Sequence, residues 1–220
     1  MTNPLALQRL LTWLSPAFPV GSFAWSAGLE TAIASGTVAD AKILEDWVGA
    51  ALHHGGIRTD AIILAAAYAA HDDTAKLAEI ADLCLALTAS KERHDELTIT
   101  GAAFVKALAA WPSDVLQRLP DPCPYPLVVG AAAGDHDIGV TDTLRAFLTA
   151  LVHAQVSVAV RLVPLGQTDG LTVMSALEPQ IATLADFAAA ASLEDLGSIG
   201  YAADIAQMRH ETLEPRIFRS

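Results

Sequence analysis

Cysteine is scarce. Cys84 and Cys123 are the only two in 220 residues, and they lack CxxC spacing. That excludes a disulfide scaffold and a zinc ribbon and points to thiols in a reducing compartment. Basic residues are also few, with 13 Lys and Arg against 25 Asp and Glu and a net charge of −12. Such a chain repels a phosphate backbone, so a nucleic-acid partner is not expected, and a basic or cationic partner is favoured. Charged residues make up only 17% and apolar ones 53%, against roughly 25% charged in ordinary soluble domains. Much of the surface is therefore expected to be covered in subunit contacts.

Long apolar runs are missing too. Ala146 to Val160 is uncharged, but it is bracketed by Arg145 and Arg161, contains His153 and Gln155, and falls short of the ~20 residues of a bilayer span. It reads as a buried helix. The opening MTNPLALQRLLTWLS has neither the basic n-region nor the small-residue cleavage site of a secretory signal. No membrane association and a cytoplasmic location are expected.

The usual catalytic signatures are absent as well: no GxxxxGK[ST], GxSxG, GxGxxG or HExxH occurs. His210-Glu211 begins the last of these, but Glu214 stands where its second histidine belongs. Asp72-Asp73 resembles the start of an aspartate-rich magnesium site, yet Lys76 replaces the further carboxylate. The seven histidines are scattered. His53 and His54 project about 100° apart on a helix and chelate poorly, and Asp135-His136-Asp137 is the better local cluster. Imidazole is a good nickel ligand, but no fixed metal site follows from this distribution.

Helical periodicity is what the sequence does have. Leu7, Leu10, Leu11 and Leu14 recur at helical spacing, as do Leu44, Trp47, Val48, Ala51 and Leu52. Asp40 is placed to cap the second run and Gly55 to stop it. Leu64 and Tyr68, then Leu77, Ile80, Leu83, Cys84 and Leu87, continue the pattern across a tight connection at His71-Asp72-Asp73. Lys91 to Ala110 forms another helix, ended by Trp111-Pro112. Prolines at 112, 120, 122, 124 and 126 mark an internal connection, residues 112–126, that divides the helices into two groups. A long helix opens at Thr141-Asp142, and two later helices fit Leu171 to Ala176 and Glu178 to Ala190. Val156 to Val163 is β-branched enough for a strand, but no second alternating segment exists to pair with it. The expected fold is all-α: a single-domain multi-helix bundle over residues 1–220 with a partly extended C-terminal tail.

Three stretches stand out as candidate surfaces. Pro16, Pro19 and Gly21 set Phe18, Phe23 and Trp25 on a rigid turn, either a structural corner or a partner-docking surface. Glu30 follows in register with Ser26 and Ile33, and as a lone carboxylate it is expected to be solvated. In the tail, residues 204–220, Ile217 and Phe218 look like groove anchors between Arg209, Arg216 and Arg219. Arg161, after an apolar run, calls for a buried or interfacial partner, while Pro164 and Gly166 end the long helix.

These stretches carry a family resemblance. SPAFPVGSFAWSAGLE (residues 15–30), AVRLVPLGQTDG (159–170) and RHETLEPRIFRS (209–220) resemble, in order, the SP-x-x-PVG-x-x-x-S-x-GLE, A-x-[RK]-LVP-x-GQ and HE-x-x-x-x-RLF-x-S patterns of the UreF family of urease accessory proteins. SKERHDELTITGAAF (90–104) matches more weakly, through Glu92 and Gly101. Ala27, His94, Glu214-Pro215 and Ile217 depart from the family pattern, which has glutamine, arginine, Tyr-Ser and leucine there.

The resemblance implies a non-catalytic homodimer that binds UreH (also called UreD) and the GTPase UreG, and helps to deliver nickel to apo-urease. On that reading no cofactor is held tightly: nickel is in transit and GTP is bound by UreG. Arg209, His210, Glu211, Arg216, Ile217, Phe218 and Arg219 become the expected UreH contact, formed as the tail orders on binding. Ser22, Trp25 and Glu30 become the expected UreG-facing or ion-path surface, and Arg161, Pro164, Gly166 and Gln167 dimer or structural residues. Two alternatives stay open. One is a small all-α enzyme with dispersed catalytic residues such as Glu30, His94 or Asp135-His136-Asp137, and the other is a chaperone that binds nickel directly.

Overall fold

The computed structural model describes residues 4–197 and 199–220, and among these there are ten α-helices, three short 3₁₀ turns and no strand. The helices are α1 (Pro4–Trp13), α2 (Leu29–Ala34), α3 (Ala41–His54), α4 (Gly56–Ala69), α5 (Thr74–Ala86), α6 (Lys91–Leu108), α7 (Tyr125–Asp135), α8 (Val140–Leu162), α9 (Gln167–Ala190) and α10 (Tyr201–His210).

Local chemistry sets several boundaries. The Asp40 carboxylate accepts the Ile43 N–H at 2.9 Å, the Asp73 carboxylate the Lys76 N–H at 3.0 Å, and the Ser90 hydroxyl the Arg93 N–H at 3.1 Å. Each satisfies one of the orphan donors at a helix start. Gly55 ends α3, as its position suggests, but α4 begins at the next residue, so Gly55 is a corner between two helices.

The fold is organised around α7, in which every residue from Tyr125 to Gly134 is buried. It has no polar face because α4, α6 and α8 surround it. Its crossing with α4 is very close: a Cβ on Gly130 would overlap the Leu64 carbonyl oxygen. A similar approach of Gly101 to the Cys123 carbonyl fixes α6 against the segment leading into α7, so Gly101 is required by packing rather than tolerated in its helix. The proline-rich segment therefore does not divide the helices into separate groups. Val115 within it is buried, and Pro124 and Pro126 cap and open the central helix, where a missing N–H costs nothing.

The two helices expected over 171–176 and 178–190 are one. Pro179 lies inside α9. Its ring is exposed, and the Ser175 carbonyl it deprives of a donor belongs to an exposed residue that water can reach. Val173, Leu177, Ile181, Leu184, Ala185 and Ala188 form a continuous buried stripe across the proline, and packing on α8 and α3 holds the helix together.

The β-branched run from Val156 is helical to Leu162, with Val156, Val158 and Ala159 buried. By length and composition α8 could cross a membrane. Its inner face of Leu144, Phe147, Leu148 and Val152 belongs to the core, which is the environment of a buried soluble-type helix.

Candidate functional site

The structure brings together two regions that the sequence keeps apart, the turn before α2 and the C-terminal tail. In residues 21–28 the chain takes positive φ at Gly21 (72°), Ala27 (51°) and Gly28 (81°), which coils it tightly and aims successive N–H groups at one point. Gly28 has no alternative, because a Cβ there would lie 2.7 Å from the Gln207 backbone nitrogen on α10. Into this coil comes the end of the described chain. The Ser26 N–H donates to the Ser220 carbonyl at 2.6 Å, the Ser26 hydroxyl donates to the same oxygen, and the Ala27 N–H donates to the Ser220 hydroxyl at 3.1 Å. The Arg219 N–H donates to the Ala24 carbonyl at 2.8 Å.

Glu30 is the centre of this lock. It is buried, not solvated as a lone carboxylate would be, because both of its carboxylate oxygens find partners in the tail and on α10. Its Oε1 accepts the Ile217 N–H at 2.7 Å, and its Oε2 accepts the Phe218 N–H at 2.9 Å and faces His210 Nε2 at 2.9 Å. The other ring nitrogen, Nδ1, lies 2.8 Å from Glu92 Oε2 on α6. Arg216 donates to the remaining Glu92 oxygen at 2.7 Å, so the cluster combines two carboxylates with an imidazole and a guanidinium. His210 is 0% exposed and Phe218 6%. Glu211 completes the contact by accepting the Lys91 N–H at 3.0 Å.

Burial alone would push the Glu30 carboxyl up, but the hydrogen bonds from His210, Phe218 and Ile217 outweigh it and hold the group below its ordinary value of 4.5. A carboxyl lowered in the folded state stabilises docking above its ordinary range, and that contribution is lost as pH falls through the lowered value. Amide-exchange protection of Ile217 and Phe218 should therefore decline as pH drops below about 4.5, and the Glu30→Gln variant should show a much flatter profile.

The expected site residues separate on this frame. Ser22, Trp25 and Glu30 lie on one side of the lock and the tail residues on the other. The two surfaces assigned to different partners are thus contiguous. Trp25 is buried, with the Arg219 guanidinium 5.7 Å from its ring centroid. The tail is already folded onto its own chain, with His210 and Phe218 turned inward, while Arg209, Glu211, Arg216 and Arg219 are exposed and Ile217 reaches 77% exposure. Phe218 anchors the tail in the protein's own core, and of the two apolar residues only Ile217 faces outward.

Arg161 is exposed and forms no ion pair or side-chain hydrogen bond among the described residues, contrary to a buried pairing, because the apolar run before it turns its core face elsewhere. Pro164, Gly166 and Gln167 form the exposed turn from α8 to α9, with Asp169 accepting the Gly166 N–H at 2.9 Å.

The alternative centres do not assemble. His94 is half-buried, 4.0 Å from Asp95. Asp135 pairs with Arg118 at 3.3 Å, and His136 takes a hydrogen bond from Arg9 at 2.9 Å. Burial and then the Arg9 charge push the His136 imidazole below its usual value. Among the described residues no group of three or more His, Cys, Asp or Glu is placed to hold a metal ion.

Two residue sets escaped sequence reasoning. Glu92 was visible only as a weak motif match, although it closes the lock. Asp60, Arg93 and Glu96 form a buried ion network, with Arg93 Nη1 2.6 Å from Glu96 Oε2. Burial pushes the Asp60 carboxyl up against the opposing pull of Arg93. Its only sequence signal was an arginine and a glutamate spaced i, i+3 on α6.

The UreF family model matches residues 38–178. Proteins named urease accessory protein UreF are similar over nearly the whole chain. The protein from Rhizobium johnstonii is 48% identical over 215 residues, covering 98% of this chain and 96% of the relative. That from Agrobacterium fabrum is 47% identical with the same coverage. The Rhodopseudomonas palustris strain HaA2 protein is 47% identical over 222 residues, covering 98% and 94%. With the helical fold, the three ordered motifs and these full-length matches in agreement, the chain belongs to the UreF family of urease accessory proteins.

Proposed function

We propose that the protein is a non-catalytic, cytoplasmic maturation factor that binds UreH/UreD through α10 and the tail, presents the neighbouring 22–30 turn to the GTPase UreG, and works as a homodimer. GTP hydrolysis by UreG is coupled on this platform to nickel transfer into apo-urease. Nickel is cargo and GTP belongs to the partner.

The observation that carries the reading is the inverted polarity of α10. Gln207 and His210 point inward and are buried, while Tyr201, Ile205 and Met208, at helical spacing, are 72%, 45% and 49% exposed. A surface helix normally does the reverse. An outward apolar stripe continued by Ile217 and bordered by Arg209 and Arg216 has the composition of a protein-binding face. The lock through Glu30 and Glu92 holds that stripe in a fixed pose, which lowers the ordering cost of association.

Two changes test it. A chain ending before Met208 should lose copurification with UreH and fail to activate urease in cells. Ile205→Asp with Met208→Asp leaves the lock intact and should weaken UreH binding by at least about a hundredfold, a loss of about 2.7 kcal/mol. Copurification of either variant at wild-type stoichiometry would overturn the assignment.

A further inference from the structure

The joint between α1 and the end of α7 combines an aromatic wedge with a contact that only one protonation state allows. Trp13, 1% exposed, stands edge-on to Phe104 and Trp111, with ring centroids 6.1 and 5.9 Å away. The third ring beside it is the imidazole of His136, which follows α7, at 5.3 Å. Arg9, the one charged residue of α1, is half-buried and sets its Nη1 2.9 Å from His136 Nδ1. A guanidinium can only donate, so Nδ1 must supply the lone pair, and the ring in this contact is neutral with its proton on Nε2.

A proton on Nδ1 removes that lone pair and leaves two cations facing each other in a half-buried joint, where solvent screens them less than in bulk water. The surrounding charges do not cancel this repulsion. Asp135 favours the charged ring, but it is held by Arg118 at 3.3 Å, which in turn lies 3.8 Å from Asp114. Asp137 and the Trp111 carbonyl favour it as well, and Asp137 is exposed. From the α4–α5 connection His71 packs on Gly134, with its Nδ1 3.0 Å from the Tyr68 carbonyl. Burial and the Arg9 charge prevail and keep the His136 imidazole below its ordinary value of 6.5.

We propose that the Arg9–His136 contact is an acid-sensitive latch, which holds α1 on the end of α7 while the imidazole is neutral and loosens α1 when the imidazole takes up a proton. The inference stands apart from the partners proposed above. Docked α1 disfavours the charged ring, so the latch contributes fully above the ordinary value, weakens as pH falls through it, and levels off below the lowered one. One proton is involved, so opening grows by at most about tenfold per pH unit. Opening draws Trp13 out of the slot lined by Phe104 and Trp111. It also loosens one wall of an apolar groove of about 730 Å³, where α1 contributes Leu7 and Leu11 opposite α8.

Amide exchange on the full chain between pH 7.5 and 5.0, corrected for intrinsic rates, tests the latch. This window lies above the carboxylate range in which the Glu30 lock loosens. Protection of the Leu10–Leu14 amides should fall below about pH 6.5, by up to about tenfold per unit, while Val128–Ala132 on α7 stay protected. His136→Gln keeps an acceptor for Arg9 without titrating, and should give a flat profile with α1 docked throughout. Arg9→Gln should flatten the profile too and raise the His136 titration midpoint seen by NMR, a shift that a merely structural role for Arg9 would not produce. His71→Gln should keep the wild-type slope. A flat wild-type profile overturns the latch, as does a wild-type slope that survives in His136→Gln or is lost in His71→Gln. If His136→Gln does not fold, an unmoved His136 midpoint in Arg9→Gln overturns it equally.

Discussion

Glu30→Ala is expected to free the tail from the body of the protein. The substitution removes the acceptor for the Ile217 and Phe218 N–H groups and one of the two carboxylates on His210. Breaking one member of a buried, hydrogen-bonded charged cluster costs on the order of 3–5 kcal/mol, comparable with the free energy that docks a short segment. Ile217 and Phe218 amides should then exchange orders of magnitude faster, with a limited protease cutting near residues 211–217. Helix content should fall little, because the other helices that reach the lock by their first turns, α2 and α6, also bury Leu29 and Ala32 and Leu97, Phe104 and Leu108 in the core. Unchanged exchange at Ile217 and Phe218 would show that the tail is held by its apolar contacts and by Ser220, not by Glu30. If the proposed partner site is correct, the same variant should lose UreH binding while every residue of the outer α10 stripe remains in place.

Gly130→Ala is expected to destabilise the whole fold, and through a different physical route. The added methyl meets the Leu64 carbonyl, which belongs to a helix backbone that cannot rotate away as a side chain would. Relief requires α4 and α7 to move apart, opening the centre of the core. Overpacking of this kind costs about 3 kcal/mol, a large fraction of a typical total of roughly 5–15 kcal/mol. The urea midpoint should fall accordingly. Gly139→Ala is the control: its Cβ would meet only the Asp142 carboxylate, at 3.7 Å, and a change within about 0.5 kcal/mol is expected. Equal effects of the two would refute the close-crossing argument.

The contrast between these sites reflects what a sequence can display. Helices with one wet face are legible, because the apolar stripe of α3 with Asp40 before it and Gly55 after it is a local pattern. The all-α class and the connection at 71–73 were readable for the same reason. α7 was not, since burial on all sides erases the periodicity that marks a helix, and its flanking prolines imitate a linker. Pro179 imitated a helix break, although its consequence depended on which way the Ser175 carbonyl faced.

The candidate site shows the same division. The residues of the tail were visible as a signature, but their partners were not: Glu30 and His210 are 180 positions apart. Nothing local distinguishes a carboxylate that meets an imidazole from one that meets water. Burial of Phe218 within its own chain was invisible for the same reason, so an anchor that looked destined for a partner turned out to be spent internally.

The distance along the chain that the lock spans also sets a timetable for synthesis. Ser26 closes on Ser220, 194 residues further on. At about 5–20 residues per second, a ribosome needs roughly 10–40 s to make that interval. Throughout that time the turn at 21–28 and the buried carboxylate of Glu30 have no partner to fold against. A nascent chain thus carries an open acceptor for its own tail, and whatever shields Trp25, which the tail's Arg219 covers in the closed form, acts during those seconds.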